Sequence, residues 1–232
     1  MKYTVSPYVF EKNPNLLFGL VIGKKIINEN TSTEDHENLQ RAEKKIRQEF
    51  VLEDLKTHNN YTLYRHALKA FEINPNKYMN SIEAMSKRIL KGSDLPRINA
   101  LVDNCNAIGL KYQISLGGHD LGEIHDDLEV RLSKTTDVFQ AFGKEVKEAM
   151  PADELVFISG SEVQTRYWLW RQSELGKMTL ESKNIFFQLV GFEERRMQLE
   201  YAIRELENLI THRFGGKYES FIVSQDQRFI EF

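Results

Sequence analysis

The residues best suited to chemistry fall in three stretches of this sequence. In Arg97-Ile98-Asn99-Ala100-Leu101-Val102-Asp103-Asn104-Cys105-Asn106, the polar residues Asn99, Asp103 and Asn106 recur at i, i+4 and i+7 and so share one face of a helix. With Arg97 at the helix entry they present donors and acceptors together, although such a set on its own reads as a solvated face. His119-Asp120 and His125-Asp126-Asp127 form the only His/Asp cluster. On a strand, positions 119 and 125 would share a face and could hold a metal. Gly117, Gly118 and Gly122 interrupt any regular strand there, however, so no metal is expected. The third stretch is Thr165-Arg166-Tyr167-Trp168-Leu169-Trp170-Arg171-Gln172. Strand alternation would place Arg166, Trp168, Trp170 and Gln172 on one face and Tyr167, Leu169 and Arg171 on the other. Indoles beside a guanidinium and an amide can stack a base and hold a phosphate or carboxylate, or can equally form a structural cation–π pair in a core.

Other chemistries find no support. The histidines contain no HExxH pair, Ser159-Gly160-Ser161 is not a nucleophile elbow, and neither a P-loop nor a GxGxxG fingerprint occurs. Cys105 falls on the apolar stripe of its helix, the place of a small buried hydrophobe. With 31 basic against 34 acidic side chains, the net charge of −3 argues against sequence-independent coating of nucleic acid. Local basic patches at Lys24-Lys25, Lys87-Arg88-Lys91 and Arg195-Arg196 remain candidates. A single cysteine rules out an internal disulfide and points to a reducing compartment. The opening Met-Lys-Tyr-Thr-Val-Ser-Pro shows no apolar secretory core, and no apolar run approaches the roughly 20 residues of a membrane helix. The expectation is a cytoplasmic protein that does not enter a membrane.

The elements that must position these residues follow from periodicity. Residues 3–10 and 16–27, rich in β-branched and aromatic side chains around Asn13-Pro14-Asn15, predict a hairpin or neighbouring strands. Thr31-Ser32-Thr33 opens a helix expected to reach about residue 58, with Leu39, Ala42, Ile46 and Phe50 on its apolar stripe. Further helices are predicted over 62–71 and 78–91, and another from the Ser93-Asp94-Leu95-Pro96 signal onward. From Ser115 to Gly191 the period becomes alternating, with candidate strands at 128–132, 154–159, 163–171 and 184–190. An amphipathic helix carrying Leu199, Ala202, Ile203, Leu206 and Ile210 ends at Gly215-Gly216, and a strand over 218–223 precedes a short polar tail. Helices, then a run of strands, then a helix and a strand indicate an α+β layered fold. Neither a repeat nor a linker divides the chain, so 1–232 is expected to be a single domain, with N-terminal strands and helices over 1–75 and the remaining core over 76–225.

Taken together, Leu95 to Asn106 with Gly117-Gly118-His119-Asp120, and Trp168 to Gln172 with Thr179-Leu180-Glu181-Ser182-Lys183-Asn184-Ile185-Phe186-Phe187, resemble a known module. This is the editing domain of the phenylalanyl-tRNA synthetase beta subunit, the B-three/B-four tRNA-binding domain. The pattern is closer still to free-standing proteins built from that module alone, in which a W-x-W-R-Q segment is typical. The resemblance covers residues 76 to 225 by element order. It implies an unusual β-sandwich flanked by helices, with a pocket that admits the 3′ end of a misacylated tRNA and hydrolyses the ester of the wrong amino acid. Such chemistry needs no cofactor, metal or covalent nucleophile: an activated ester is held against a positioned water, with donors aimed at the developing oxyanion.

Residue by residue, the resemblance sets Arg97 at the arginine of the helix motif, with Pro and Arg exchanged in order. His119 answers to the loop histidine, two positions late when counted from Asp103, and Asn184 matches the family strand. Gln172 stands where the synthetase has a glycine. Gln188 stands where the synthetase has a glutamate that recognises the substrate, so tyrosine as the rejected amino acid is not carried over. The resulting expectation is a stand-alone trans-editing aminoacyl-tRNA deacylase. His119 would be catalytic, and Arg97, Asn99, Arg166, Trp170, Arg171 and Gln188 would bind a tRNA acceptor end carrying a non-cognate amino acid. The alternative is a non-catalytic RNA- or amino-acid-binding module that kept the fold. The pattern names neither the amino acid nor the tRNA, and a monomer is compatible with it.

Overall fold

Helical and alternating periods sort this chain into two sheets and six helices; the computed structural model describes residues 1–232. The first half contains β1 (Lys2–Val5), α1 (Pro7–Lys12), β2 (Leu16–Lys24), α2 (Thr33–Glu49), α3 (Asn59–Ala70), α4 (Ser81–Leu90), α5 (Ala100–Tyr112) and β3 (Ser115–Asp120). It continues with β4 (Leu128–Leu132), β5 (Val138–Gln140), β6 (Lys147–Ala149), β7 (Leu155–Ser159), β8 (Glu162–Arg166) and β9 (Arg171–Gln172). The remainder is β10 (Ile185–Phe192), α6 (Arg196–Asn208), β11 (Lys217–Val223) and β12 (Phe229–Glu231). This is the α+β architecture expected.

One sheet has four antiparallel strands in the order β11-β2-β10-β3, and the other has eight, running β12-β1-β4-β7-β8-β5-β6 with β9 paired to β8. β2 and β10 are buried on both faces, so they read as nearly continuous apolar runs. On β2, Phe18, Leu20 and Ile22 face the eight-stranded sheet and join Tyr3, Val130, Phe157 and Phe186 in the larger core. Leu17 and Val21 face the other way, with Phe187 and Leu189, toward α5 and α6. Gly19 lies on that second face because a Cβ there would come within 2.7 Å of the Ile203 side chain on α6.

Local signals explain most boundaries. A reciprocal pair of hydrogen bonds between Ser32 and Asp35 starts α2. The helix stops at Glu49, short of the predicted residue 58, where Phe50 turns extended and packs edge-on against His58 and Tyr61. Other predictions need correction. Residues 3–10 do not pair with 16–27: β1 ends at Val5, Pro7 opens α1 in the first-turn position it suits, and β1 and β2 lie in different sheets. The helix expected from Ser93 begins only at Ala100, capped by the Asn99 side chain, which accepts from the Val102 N–H. Buried Glu43 holds the preceding segment extended by accepting from the Leu95 N–H. The strand expected over 163–171 breaks at Arg166, since Tyr167 and Trp168 take left-handed φ values of 45° and 57° and reverse the chain into β9. The tail after Val223 contributes β12, which pairs with β1.

Candidate functional site

The register between β3 and β10 sets the site. Gly117 pairs with Gln188 and His119 with Phe186, so Ser115, Gly117, His119, Gln188 and Val190 all point toward the eight-stranded sheet. There they meet Thr165 at the end of β8 and the reversed segment Trp168-Leu169-Trp170. Between the sheets they enclose a chamber of about 100 Å³, with Ser81 of α4 and Gln172 of β9 completing its wall. No aspartate, glutamate, lysine or arginine lines it.

His119 is 2% exposed, its ring edge-on to Phe157 at 4.9 Å, and its Nδ1 is buried without a hydrogen-bond partner. Burial pushes its pKa down to about 4, opposed by the nearby Gln164 side chain, so the imidazole is neutral at pH 7. A Cβ at Gly117 would lie 3.6 Å from Nε2, which sets that nitrogen against the glycine wall. Gln188 is fixed from behind: the Tyr3 hydroxyl donates to its Oε1 at 2.7 Å, and burial holds that phenol well above its ordinary pKa. Gln188 is itself one of the residues that line the chamber. The Ser81 and Ser115 hydroxyls lie 2.9 Å apart, and the Tyr64 hydroxyl accepts from the Ser115 N–H while donating to the Val190 carbonyl.

Leu116, Gly117 and Gln172 are shared with an adjoining cleft of about 510 Å³. Its floor is one face of α5, including Val102, Cys105 and Asn106, and its far wall is the segment 177–181. Asn99 ties the two together by donating from Nδ2 to the Met178 carbonyl while its Oδ1 caps α5. Gly118 has no room for a side chain, because the Met178 sulfur lies 2.5 Å from where a Cβ would be. Three large apolar side chains on the rim are well exposed: Ile98 at 57%, Phe142 at 59% and Leu180 at 42%.

The structure therefore brings His119, Trp170 and Gln188 to one chamber and Asn99 to the cleft beside it. It places the three arginines elsewhere. Arg97 binds Glu43 through two 3.0 Å hydrogen bonds and also donates to the Leu95 carbonyl, lining neither cavity. Glu43 is wholly buried, so this guanidinium is committed to neutralising it. Arg166 grips Glu154 at 2.9 and 2.6 Å and reaches Glu148 at 3.3 Å. Arg171 lies 5.9 Å from the Trp170 ring on an exposed strand end. The two tryptophans also part company: Trp168 is buried in the core, while Trp170 packs edge-on against Tyr78 at 5.0 Å. Asp103 accepts from the Ile98 N–H and the Thr31 hydroxyl, and so serves the start of α5. Nothing in the sequence marks Ser81, Ser115, Phe142 or Met178 as site residues. Only sheet registry and loop packing bring them in, and neither leaves a spacing signal.

An α+β fold with a polar chamber between its sheets and a cleft along one helix is what the geometry defines. A B3/4 domain family model matches residues 63–218, more than half of the chain, and the protein belongs to that family. Among solved structures, it is similar to the crystal structure of an N-terminal fragment of the phenylalanyl-tRNA synthetase beta-subunit from Pyrococcus horikoshii. That match has 10% identity and a TM-score of 0.45, covering 95% of this chain and 53% of that one. The chain thus spans about half the length of that fragment. A search of the curated proteins finds no match. No helix is long and apolar enough to cross a membrane.

Proposed function

We propose that this protein hydrolyses the aminoacyl ester of a mischarged tRNA, with the terminal adenosine in the cleft and the amino-acid side chain in the chamber. Membership of the B3/4 family supports association with tRNA. The observation that carries the reading is the juxtaposition of buried His119, whose Nδ1 has no hydrogen-bond partner, and Gln188, fixed by Tyr3, where chamber and cleft share the wall formed by Gly117. An ester is already activated, so holding it against water, with a donor at the developing oxyanion, supplies most of what is needed. Neutral His119 can accept a hydrogen bond from the attacking water or from the vicinal ribose hydroxyl. With its pKa near 4 it positions that proton and is a weak base for removing it. The exposed Ile98, Phe142 and Leu180 offer apolar surface to a base.

The chamber also bears on which amino acid is rejected. At about 100 Å³ it is smaller than the ~150 Å³ cavity that holds a benzene ring, and its lining is uncharged. It suits a short, neutral, polar side chain better than an aromatic one. Separate correction of such residues is useful because a single binding step gains only about 1–3 kcal/mol per methylene.

Incubation with a panel of mischarged tRNAs tests the reading. Release of the amino acid from seryl- or threonyl-tRNA, lost in His119→Ala, supports it. Retention of every aminoacyl bond overturns it. The weak basicity of His119 favours a second reading, a binding module without hydrolysis. That reading predicts retained bonds together with measurable affinity for the aminoacylated end.

A further inference from the structure

A third hollow, of about 560 Å³, lies between α2, α5 and the C-terminal end of α6. α5 gives it Asn104, Ala107, Ile108 and Lys111 and gives the cleft Val102, Cys105 and Asn106. At 100° per residue these are opposite faces of the helix, so the two hollows are separated by about one helix diameter, ~10 Å. Its rim carries Arg41, Lys45, Lys111, His212 and Arg213 against one carboxylate, Glu205, and its floor includes the apolar Ile108 and Leu209.

These cations are not equivalent. Arg213 is anchored from behind, paired with Asp35 at 3.0 Å and Glu29 at 3.1 Å, and Lys111 shares Glu205 with the Tyr112 hydroxyl. Lys45 has only a loose 3.7 Å contact with Glu49, and Arg41 has no carboxylate partner, its guanidinium donating to the Asn38 side chain. The end of α6 is itself unusual. Residues Leu209–Arg213 form a π-helical turn, with the Phe214 N–H reaching the Leu209 carbonyl at 3.2 Å. Turns of this kind recur at functional sites, and here the turn carries His212 and Arg213 to the rim.

We propose that this cavity binds a phosphate-bearing nucleotide unit, the cationic rim holding the phosphate and the apolar floor receiving sugar or base. A guanidinium without a carboxylate partner beside a half-exposed lysine suits a phosphate oxygen pair, and the volume is that of an ordinary small-ligand site. The proposal is independent of ester hydrolysis in the cleft. The phosphate can come from a free mononucleotide or from an RNA backbone, and the probes separate the two.

The full chain is titrated calorimetrically with adenosine monophosphate, inorganic phosphate and a short single-stranded oligoribonucleotide. The proteins compared are the wild type, Arg41→Glu with Lys45→Glu, Lys45→Ala, and the control Lys69→Glu on the exposed face of α3. Circular dichroism confirms that each is folded. The double variant is expected to weaken binding of a phosphate-bearing probe by at least about tenfold, with Lys45→Ala intermediate and Lys69→Glu unchanged. Binding of the mononucleotide, with competition by inorganic phosphate, identifies a small-molecule site, whereas binding of the oligonucleotide alone identifies an RNA backbone site. Absence of binding by every probe overturns the proposal, as does equal weakening in the double variant and the Lys69→Glu control.

Discussion

His119 shows how a single buried side chain links stability to chemistry. Its folded pKa of about 4 lies below the ordinary value of 6.5, so between those values the unfolded chain binds a proton that the folded chain does not. The stability that depends on neutral His119 is therefore complete above pH 6.5 and lost as pH falls toward 4, on the order of 3 kcal/mol. Urea titrations at pH 7 and pH 4.5 should show this loss in the wild type and a smaller one in His119→Asn; an equal loss in both would contradict the assignment. The same shift predicts that kcat/KM for the proposed hydrolysis has no inflection near pH 6.5, because the imidazole is neutral on both sides of it. Gln188 makes a different prediction. Gln188→Leu strands the buried Tyr3 hydroxyl and should cost about 1–3 kcal/mol in a urea melt as well as activity, whereas Gln188→Glu keeps an acceptor for that hydroxyl.

At the scale of elements, the entry to α5 separates structural arginine from substrate-binding arginine. Arg97→Ala leaves Glu43 buried and unpaired, and is expected to lower stability by about 3–5 kcal/mol. The single-turnover rate of the folded fraction should change little; a large rate loss with unaltered stability would place Arg97 at the substrate instead. Which elements could be read from the sequence follows from what fixes each one. α2 and α4 have side-chain N-caps and, with α6, apolar stripes within their own residues, while β4 alternates and β7 and β10 are short continuous apolar runs, so these were legible. The break after Arg166 was not, because Trp168 is drawn into a core whose other members come from distant elements, including Phe18 on β2 and Phe71 at the end of α3. That capture overrides local alternation and parts the two tryptophans, Trp168 into the core beneath the chamber and Trp170 against Tyr78. The extended run before Ala100 was likewise set by Glu43, more than 50 residues away in the chain. His119, Gln188, Trp170 and Asn99 could be singled out by residue type and resemblance. The hydroxyls of Ser81 and Ser115 could not, since only sheet and helix packing brings them there.

For the whole molecule, charge decides how RNA would approach. The basic doublets visible in the sequence are largely occupied: Lys24 pairs with Glu219 at 2.5 Å, Arg196 with Glu193 at 2.6 Å, and Arg195 donates to the carbonyls of Tyr112 and Gln113. Lys24→Ala and Arg196→Ala are therefore expected to change tRNA affinity less than twofold in filter binding, with little change in its salt slope. A steep loss in either variant would assign the acceptor stem to that face. The account as a whole rests on the chamber and cleft acting as one site for an aminoacylated 3′ end. The most direct measurement is the deacylation rate of seryl-, threonyl-, tyrosyl- and phenylalanyl-tRNA, with wild type and His119→Ala side by side. The account predicts rapid release of the small polar amino acids, slow release of the aromatic ones, and loss of the difference in the variant. Stable aminoacyl bonds throughout, or rates untouched by removal of the imidazole, would contradict it.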